Sequence, residues 1–174
     1  MIRLAEPRDV PTIHALIREL ARYEKLEHEA VATEEQIRES LFARRGPQAE
    51  VLVAEAPAEP TRVVGFALFF HNYSTFLGRH GLYLEDLFVL PEYRRTGLGT
   101  ALLRALARIA VERGCGRLEW AVLDWNEPAI RFYRSLGAQL LDDWRICRVT
   151  GDAIAHLAAG PRPNRGGQGG ERDP

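Results

Sequence analysis

Lysine is almost missing from this chain of 174 residues: Lys25 is the only one, and every other cationic side chain is an arginine. The bias fits a GC-rich coding sequence and carries no functional weight. Charge excess is missing too, since 23 Lys and Arg face 24 Asp and Glu, so nothing here marks a nucleic-acid partner. Cysteine is scarce. Cys115 and Cys147 have no Cys or His neighbour at zinc-ligand spacing, and His14, His28, His71, His80 and His156 are scattered, which excludes a disulfide framework and predicts no metal. No apolar run approaches the ~18 to 20 residues that span a bilayer, and Met1 to Pro7 lacks the apolar core of a signal peptide. The expectation is a cytoplasmic protein with no membrane partner. With 46% hydrophobic residues, the chain has material for one good core, and the expected organisation is one domain over 1–159 followed by a disordered Gly/Pro/Arg tail over 160–174.

What is present in quantity is a junction. Leu84-Glu85-Asp86-Leu87-Phe88-Val89-Leu90 reads as an apolar strand interrupted by two carboxylates, and Pro91-Glu92-Tyr93-Arg94-Arg95-Thr96-Gly97-Leu98-Gly99-Thr100 leads from it into an amphipathic helix. Gly97 and Gly99 let the backbone turn sharply and approach a ligand, and the first N–H groups of the helix favour an anionic oxygen. Two glycines at a helix start are also what an ordinary tight turn needs. The Walker loop is excluded because no Lys-Ser/Thr follows the glycines, and the dinucleotide fingerprint lacks its third glycine.

Around this junction the spacing predicts alternating helices and strands. Ile2 to Leu4 is a short strand; Asp9 caps a helix carrying Val10, Ile13, Leu16, Ile17 and Leu20 that ends near Glu24. Thr33 and Gln36 form a capping box for a second helix through Ile37, Leu41 and Phe42. Val51 to Ala54 and Val63 to Phe70 read as a hairpin, and Leu82 to Leu90 as the strand entering the glycine turn. Beyond it, Leu98, Leu102, Leu106 and Ile109 share a helix face that stops at Gly114. Leu118 to Leu123 is a strand, Asn126 and Pro128 start a helix that Gly137 closes, and Arg145 to Val149 is a last strand. The fold class is α/β (α+β): helices on both faces of a mixed, mostly antiparallel sheet with a parallel pair at its centre.

The pattern Arg94-x-x-Gly97-x-Gly99, with Tyr83-Leu84-Glu85-Asp86, Pro91-Glu92-Tyr93-Arg94, Leu123-Asp124-Trp125-Asn126 and Phe132-Tyr133-x-x-x-Gly137-Ala138 in order, resembles the GNAT superfamily of N-acetyltransferases. Within it the chain is similar, from about Ile2 to Leu157, to the diamine and polyamine N-acetyltransferases, nearest the thialysine branch. The resemblance implies acetyl-CoA as donor, a small primary amine as acceptor, a homodimer and a parallel pair splayed at the cofactor. It implies pyrophosphate binding by Arg94, Arg95, Gly97, Leu98, Gly99 and Thr100, and pantetheine pairing with the backbone of Phe88, Val89 and Leu90 and with Asn126. Asn126 is equally a natural helix cap.

Acetyl transfer to an amine needs one proton removed from nitrogen and one delivered to the departing thiolate. The resemblance makes Glu85 the base and Tyr133, beside the CoA sulfur, the acid; in isolation Tyr133 also reads as a core aromatic, and Glu85 and Asp86 as structural carboxylates. As neighbours in a strand they point to opposite faces, so only one faces a given pocket. Glu24 and Tyr23 match residues that bind the cationic end of a polyamine. Where polyamine enzymes carry an acidic residue after the tyrosine, this chain reads Tyr73-Ser74-Thr75, which places Ser74 at the acceptor and points to lysine-like amines. A protein amine, an aminoglycoside, or a non-catalytic CoA sensor are the other readings.

Overall fold

A computed structural model describes residues 1–44 and 46–160; the expected tail beyond Gly160 lies outside the described residues. Backbone contacts divide the chain into two units, Met1–Trp125 and Asn126–Pro174.

The first unit is built on a five-stranded sheet in sequence order: β1 (Ile2–Leu4), β2 (Glu50–Ala56), β3 (Glu59–Ser74), β4 (Arg79–Val89) and β5 (Leu118–Trp120). The first four are antiparallel, and β5 runs parallel to β4. Strand alternation sorts the side chains. Val51, Val53, Phe66 and Phe88 form one buried cluster with Val10, Ile13, Leu16 and Leu20 of α1 (Val10–Glu24) and Ile37 and Leu41 of α2 (Glu34–Phe42). Their neighbours Leu52, Ala54, Ala67 and Phe69 are buried on the other face. There α3 (Leu98–Glu112) packs through Leu98, Leu102, Leu103, Leu106 and Ala110. Ten or so buried large apolar side chains at ~1.5 to 3 kcal/mol each make this double-faced packing the main stabilising term.

The Thr33–Gln36 capping box is present, with the Gln36 N–H donating to Thr33 Oγ1 at 3.2 Å and the Thr33 N–H to Gln36 Oε1 at 2.8 Å. Asp9 behaves differently from its expected role. It precedes α1 but makes no side-chain cap bond. Its carboxylate instead accepts from Arg3 at 2.7 and 3.0 Å and from the Glu6 N–H at 2.7 Å. Arg3 also donates to Glu55 at 2.8 Å, so one guanidinium ties β1, the start of α1 and β2 together.

The parallel pair stands at the β5 end of the strand order rather than in the middle. It consists of three residue pairs and stops at Leu84 opposite Trp120, whereas β4 continues to Val89. The strand expected to reach Leu123 therefore ends three residues early.

The second unit holds α4 (Glu127–Ser135) and α5 (Asp152–Ala159). Asn126 Oδ1 accepts from the Ala129 N–H at 3.3 Å and Gly137 leaves the helix at φ +90°. The strand expected at Arg145 to Val149 is not formed: this stretch has no ladder, and Leu141, Trp144, Ile146 and Val149 are exposed. Alternating apolar residues stay extended only where a neighbouring strand satisfies their backbone.

Candidate active site

The register of β3 against β4 slips at one place. Leu68 faces Asp86 and Phe69 faces Leu84, so Glu85 has no opposite number. This is a β-bulge, which re-aims side chains locally. Strict alternation would put Leu84 and Asp86 on the same face. Across the bulge, Leu84 pairs with Phe69 on the face away from α1, while Asp86 pairs with Leu68, which packs against the α1 and α2 cluster. The alternation argument for Glu85 and Asp86 thus fails where the strand gains a residue.

Asp86 is the electrostatic centre of the site. Burial, then repulsion from Glu85 and from Glu24, pushes its carboxyl up from 3.8 to about 7. Glu24, the last residue of α1, is itself raised by burial. No cation is among the causes of these two shifts. Glu85 is exposed, at the level where β5 has already left β4.

Five residues further on, the chain makes its turn. Pro91–Tyr93 is one 3-10 turn, Arg95 has φ +64° and Gly97 has φ +90°, and α3 begins at Leu98. A Cβ built on Gly97 would meet no atom within 4 Å, so the glycine is required by its backbone angle, and the space beside it at the helix start is open. The N–H groups of Leu98, Gly99 and Thr100 belong to the first turn of a 15-residue helix, where donors lack intrahelical partners. Arg94 lies over two rings, its Cζ 4.8 Å from the Tyr23 centroid and 5.4 Å from Phe88, and its Nε donates to the Val89 carbonyl at 3.0 Å. The Tyr23 ring is in turn 6.1 Å from Trp125.

Of the backbone groups expected to pair with pantetheine, the Leu90 N–H is already donated to the Val64 carbonyl at 2.9 Å. The Val89 carbonyl accepts from Arg94. The Leu90 N–H thus closes the sheet.

Profile comparison matches the acetyltransferase (GNAT) family over residues 13–138. The chain belongs to this family. Thialysine N-epsilon-acetyltransferase of Bos taurus is 44% identical, with 91% of this chain and 96% of that protein aligned. L-ornithine N5-acetyltransferase of Arabidopsis thaliana is 41% identical over 88% of this chain and 85% of that one. Among solved structures, an integron cassette protein from the mobile metagenome of V. cholerae superposes with a TM-score of 0.73 at 28% identity, covering 91% of this chain and 96% of that one. This GNAT protein is an N-acetyltransferase acting on amines.

In the first unit of the acetyltransferase Tyr23, Phe88, Val89 and Arg94 are in contact and Glu24, Glu85 and Asp86 are coupled by charge, while Arg95, Gly97, Leu98, Gly99 and Thr100 follow on the turn and the start of α3. The unit does not bring Ser74 to them. Ser74 is buried at the far end of the β3–β4 hairpin, opposite Arg79, and its Oγ accepts from the Leu77 N–H at 3.2 Å. From Arg79 to Glu85 the strand runs on the order of 20 Å at ~3.3 Å per residue. Within one chain Ser74 is a turn residue at the other end of β4 from Glu85. Asn126 and Tyr133 belong to the second unit, Asn126 as the cap of α4 and Tyr133 half-buried on it with its ring 5.4 Å from Phe132. Sequence reasoning missed the Tyr23–Trp125 contact and the stacking of Arg94. The Leu123-Asp124-Trp125-Asn126 motif contained the first signal, since a tryptophan left 49% exposed is unusual. Among the described residues no helix is long and apolar enough to cross a membrane.

Proposed function

We propose that the protein transfers acetyl from acetyl-CoA to the primary amine of a small cationic acceptor, of the thialysine, ornithine or short diamine kind. The carrying observation is the carboxylate trio Glu24, Glu85 and Asp86 at the end of α1 and the β4 bulge. Glu24 and Glu85 both act by charge on the Asp86 carboxyl, and such a group of acids attracts the ammonium ends of such a molecule. The open approach at Gly97 and the first turn of α3 fit the CoA pyrophosphate, because small anions bind where orphan N–H groups converge. Arg95 and Thr100 would add a cation and a hydroxyl there. The edge of β4 beyond Leu84, which β5 does not cover, offers peptide groups to the pantetheine arm.

Acetyl-CoA supplies an activated acyl carbon. The chain's own work is proton handling. An alkylamine of pKa near ~10.4 must lose a proton at neutral pH; Glu85, exposed on the bulge, accepts it directly or through water. Tyr133 carries the phenol that returns a proton to the departing sulfur, and Asn126 orients the pantetheine amide. No acyl-enzyme is needed, since Cys115 and Cys147 lie outside these elements. We assign the protein to the cytoplasm and to a homodimer, for which the exposed Leu141, Trp144, Ile146, Val149, Ile154 and Leu157 supply apolar surface.

The experiment is CoA thiol release from acetyl-CoA with thialysine, ornithine, lysine, putrescine, spermidine and an aminoglycoside. Turnover is expected with the lysine-like amines and putrescine. Acetyl-CoA binding without turnover of any amine would overturn the proposal in favour of a macromolecular acceptor or a sensor.

A further inference from the structure

One cation departs from the arginine rule of this chain. Among 23 Lys and Arg residues only Lys25 is a lysine, and it directly follows Glu24, the acid that ends α1. A positive charge there favours the helix C-terminus, but an arginine supplies that charge equally, and arginine fills every other cationic position. What lysine alone supplies is an amine that can lose its proton and act as a nucleophile, since a guanidinium stays protonated.

The local backbone fixes where that amine starts. Lys25 has φ +63° and ψ +31°, the left-handed conformation in which helices end on glycine or asparagine. The Leu26 N–H closes the turn on the Ala21 carbonyl at 2.8 Å. Lys25 is exposed. Its neighbour Arg22 is held by Glu19 and Glu27, whereas among the described residues the Lys25 ammonium has no carboxylate partner. Adjacent Cα atoms are about 3.8 Å apart, so the flexible stem of Lys25 begins one residue from Glu24, whose charge acts on Asp86. The only lysine of the chain is thus a tethered lysine-like amine at the acidic group where the proposed acceptor docks.

We infer that Lys25 is a self-acetylation site: in the absence of a free amine its Nζ takes the acetyl group from acetyl-CoA. The inference rests on the proposed function for the donor and for the place of the acceptor. As the free base, Nζ attacks the thioester carbon with its lone pair; the C–N bond forms, the C–S bond breaks, and the sulfur leaves with the bonding pair. Counted from the ammonium, two protons leave nitrogen, one ending on the CoA sulfur and the other in solvent. The product is a neutral amide, which removes the positive charge that follows Glu24.

The test incubates the full chain, parent and Lys25→Arg, with acetyl-CoA and no free amine, and follows the intact mass and the mass of the peptide that contains residue 25. The parent should gain one acetyl group in that peptide and Lys25→Arg none; mapping separates this from the Met1 amine. A synthetic peptide of residues 21–29 in the same acetyl-CoA gives the uncatalysed rate, and Lys25 in the protein should react at least about a hundredfold faster, with a rate constant unchanged on dilution. Parity with the peptide, or acetyl on the Met1 amine alone, would overturn the inference. A rate constant that falls in proportion to dilution would also overturn it, because the lysine would then come from another molecule. Thiol release with free thialysine, measured on Lys25→Arg, separates the two claims. Turnover there with an unmodified Lys25 in the parent overturns the inference and leaves the functional assignment standing. Modification of Lys25 without turnover of any free amine retains the inference and removes the small-amine assignment. If neither occurs, both fail.

Discussion

Replacing Asp86 by Asn should make the protein more stable at pH 8 and change it little near pH 4. In the folded protein burial and the charges of Glu85 and Glu24 raise the Asp86 carboxyl from 3.8 to about 7. Below pH 3.8 the group is protonated in both the folded and the unfolded chain and has no effect on the pH dependence. As pH rises through the interval up to about 7, the unfolded chain loses the proton while the folded one keeps it, so stability falls; above about 7 the loss is complete. That interval, at ~1.4 kcal/mol per pH unit, sets a ceiling of about 4 kcal/mol. Partial exposure of Asp86 lets water and side-chain relaxation reduce this, and about 2 kcal/mol is expected. The assay is urea denaturation of parent and Asp86→Asn protein at pH 4, 5, 6, 7 and 8. Their difference should grow monotonically in favour of Asn and level off near pH 8. A difference that does not vary with pH, or one favouring Asp at pH 8, would refute the burial argument. Because an ammonium ligand restores the charged carboxylate, a saturating diamine should shrink the difference, and the parent should release a proton on binding it near pH 7.

Other perturbations test separate parts of the structure. Arg3→Ala strands Asp9 and Glu55, whose side chains are only 7% and 6% exposed; breaking such a buried pair should cost about 3 to 5 kcal/mol, read as a fall in the denaturation midpoint. Arg3 also holds the Asp9 carboxyl below its usual range, so this contribution is present above pH ~4 and lost as pH falls through the lowered value; a parent and variant that differ equally at pH 3 and pH 7 would exclude it. Gly97→Ala meets open space but inherits φ +90°, and about 1 to 2 kcal/mol of backbone strain should appear in the melting curve. Gly97→Trp should in addition block the approach to the helix start and abolish acetyl-CoA binding, so that calorimetry showing parent affinity would dispose of the cradle. Tyr133→Phe should lower kcat by roughly 10² to 10³ with acetyl-CoA affinity intact, and an unchanged rate would remove Tyr133 as the acid.

Much of the local architecture could be read from short stretches of sequence. The Thr33–Gln36 box, the apolar spacing in α1 and α3, and the glycine turn at Gly97 are where the sequence puts them. Each depends on a few consecutive residues, whose helical period, capping chemistry or φ preference is settled locally. Arg145 to Val149 was misread because alternation shows only that a segment can be a strand. Whether it becomes one depends on a pairing partner. The family motifs similarly pointed to the family, since their order along the chain is itself the signal.

Tertiary structure alone decided the rest. The bulge that separates Leu84 from Asp86 exists only in the register with β3, and the neutral-range carboxyl at Asp86 arises from burial together with charges on β4 and on the distant end of α1. The contacts of Arg94 with Tyr23 and Phe88 could not be read from the sequence. These are properties of residues remote in sequence and adjacent in space, where dielectric, stacking and hydrogen bonding act through distance. Sequence by itself determined which chemistry the chain carries; packing determined which carboxylate is desolvated and which rings the Arg94 guanidinium meets.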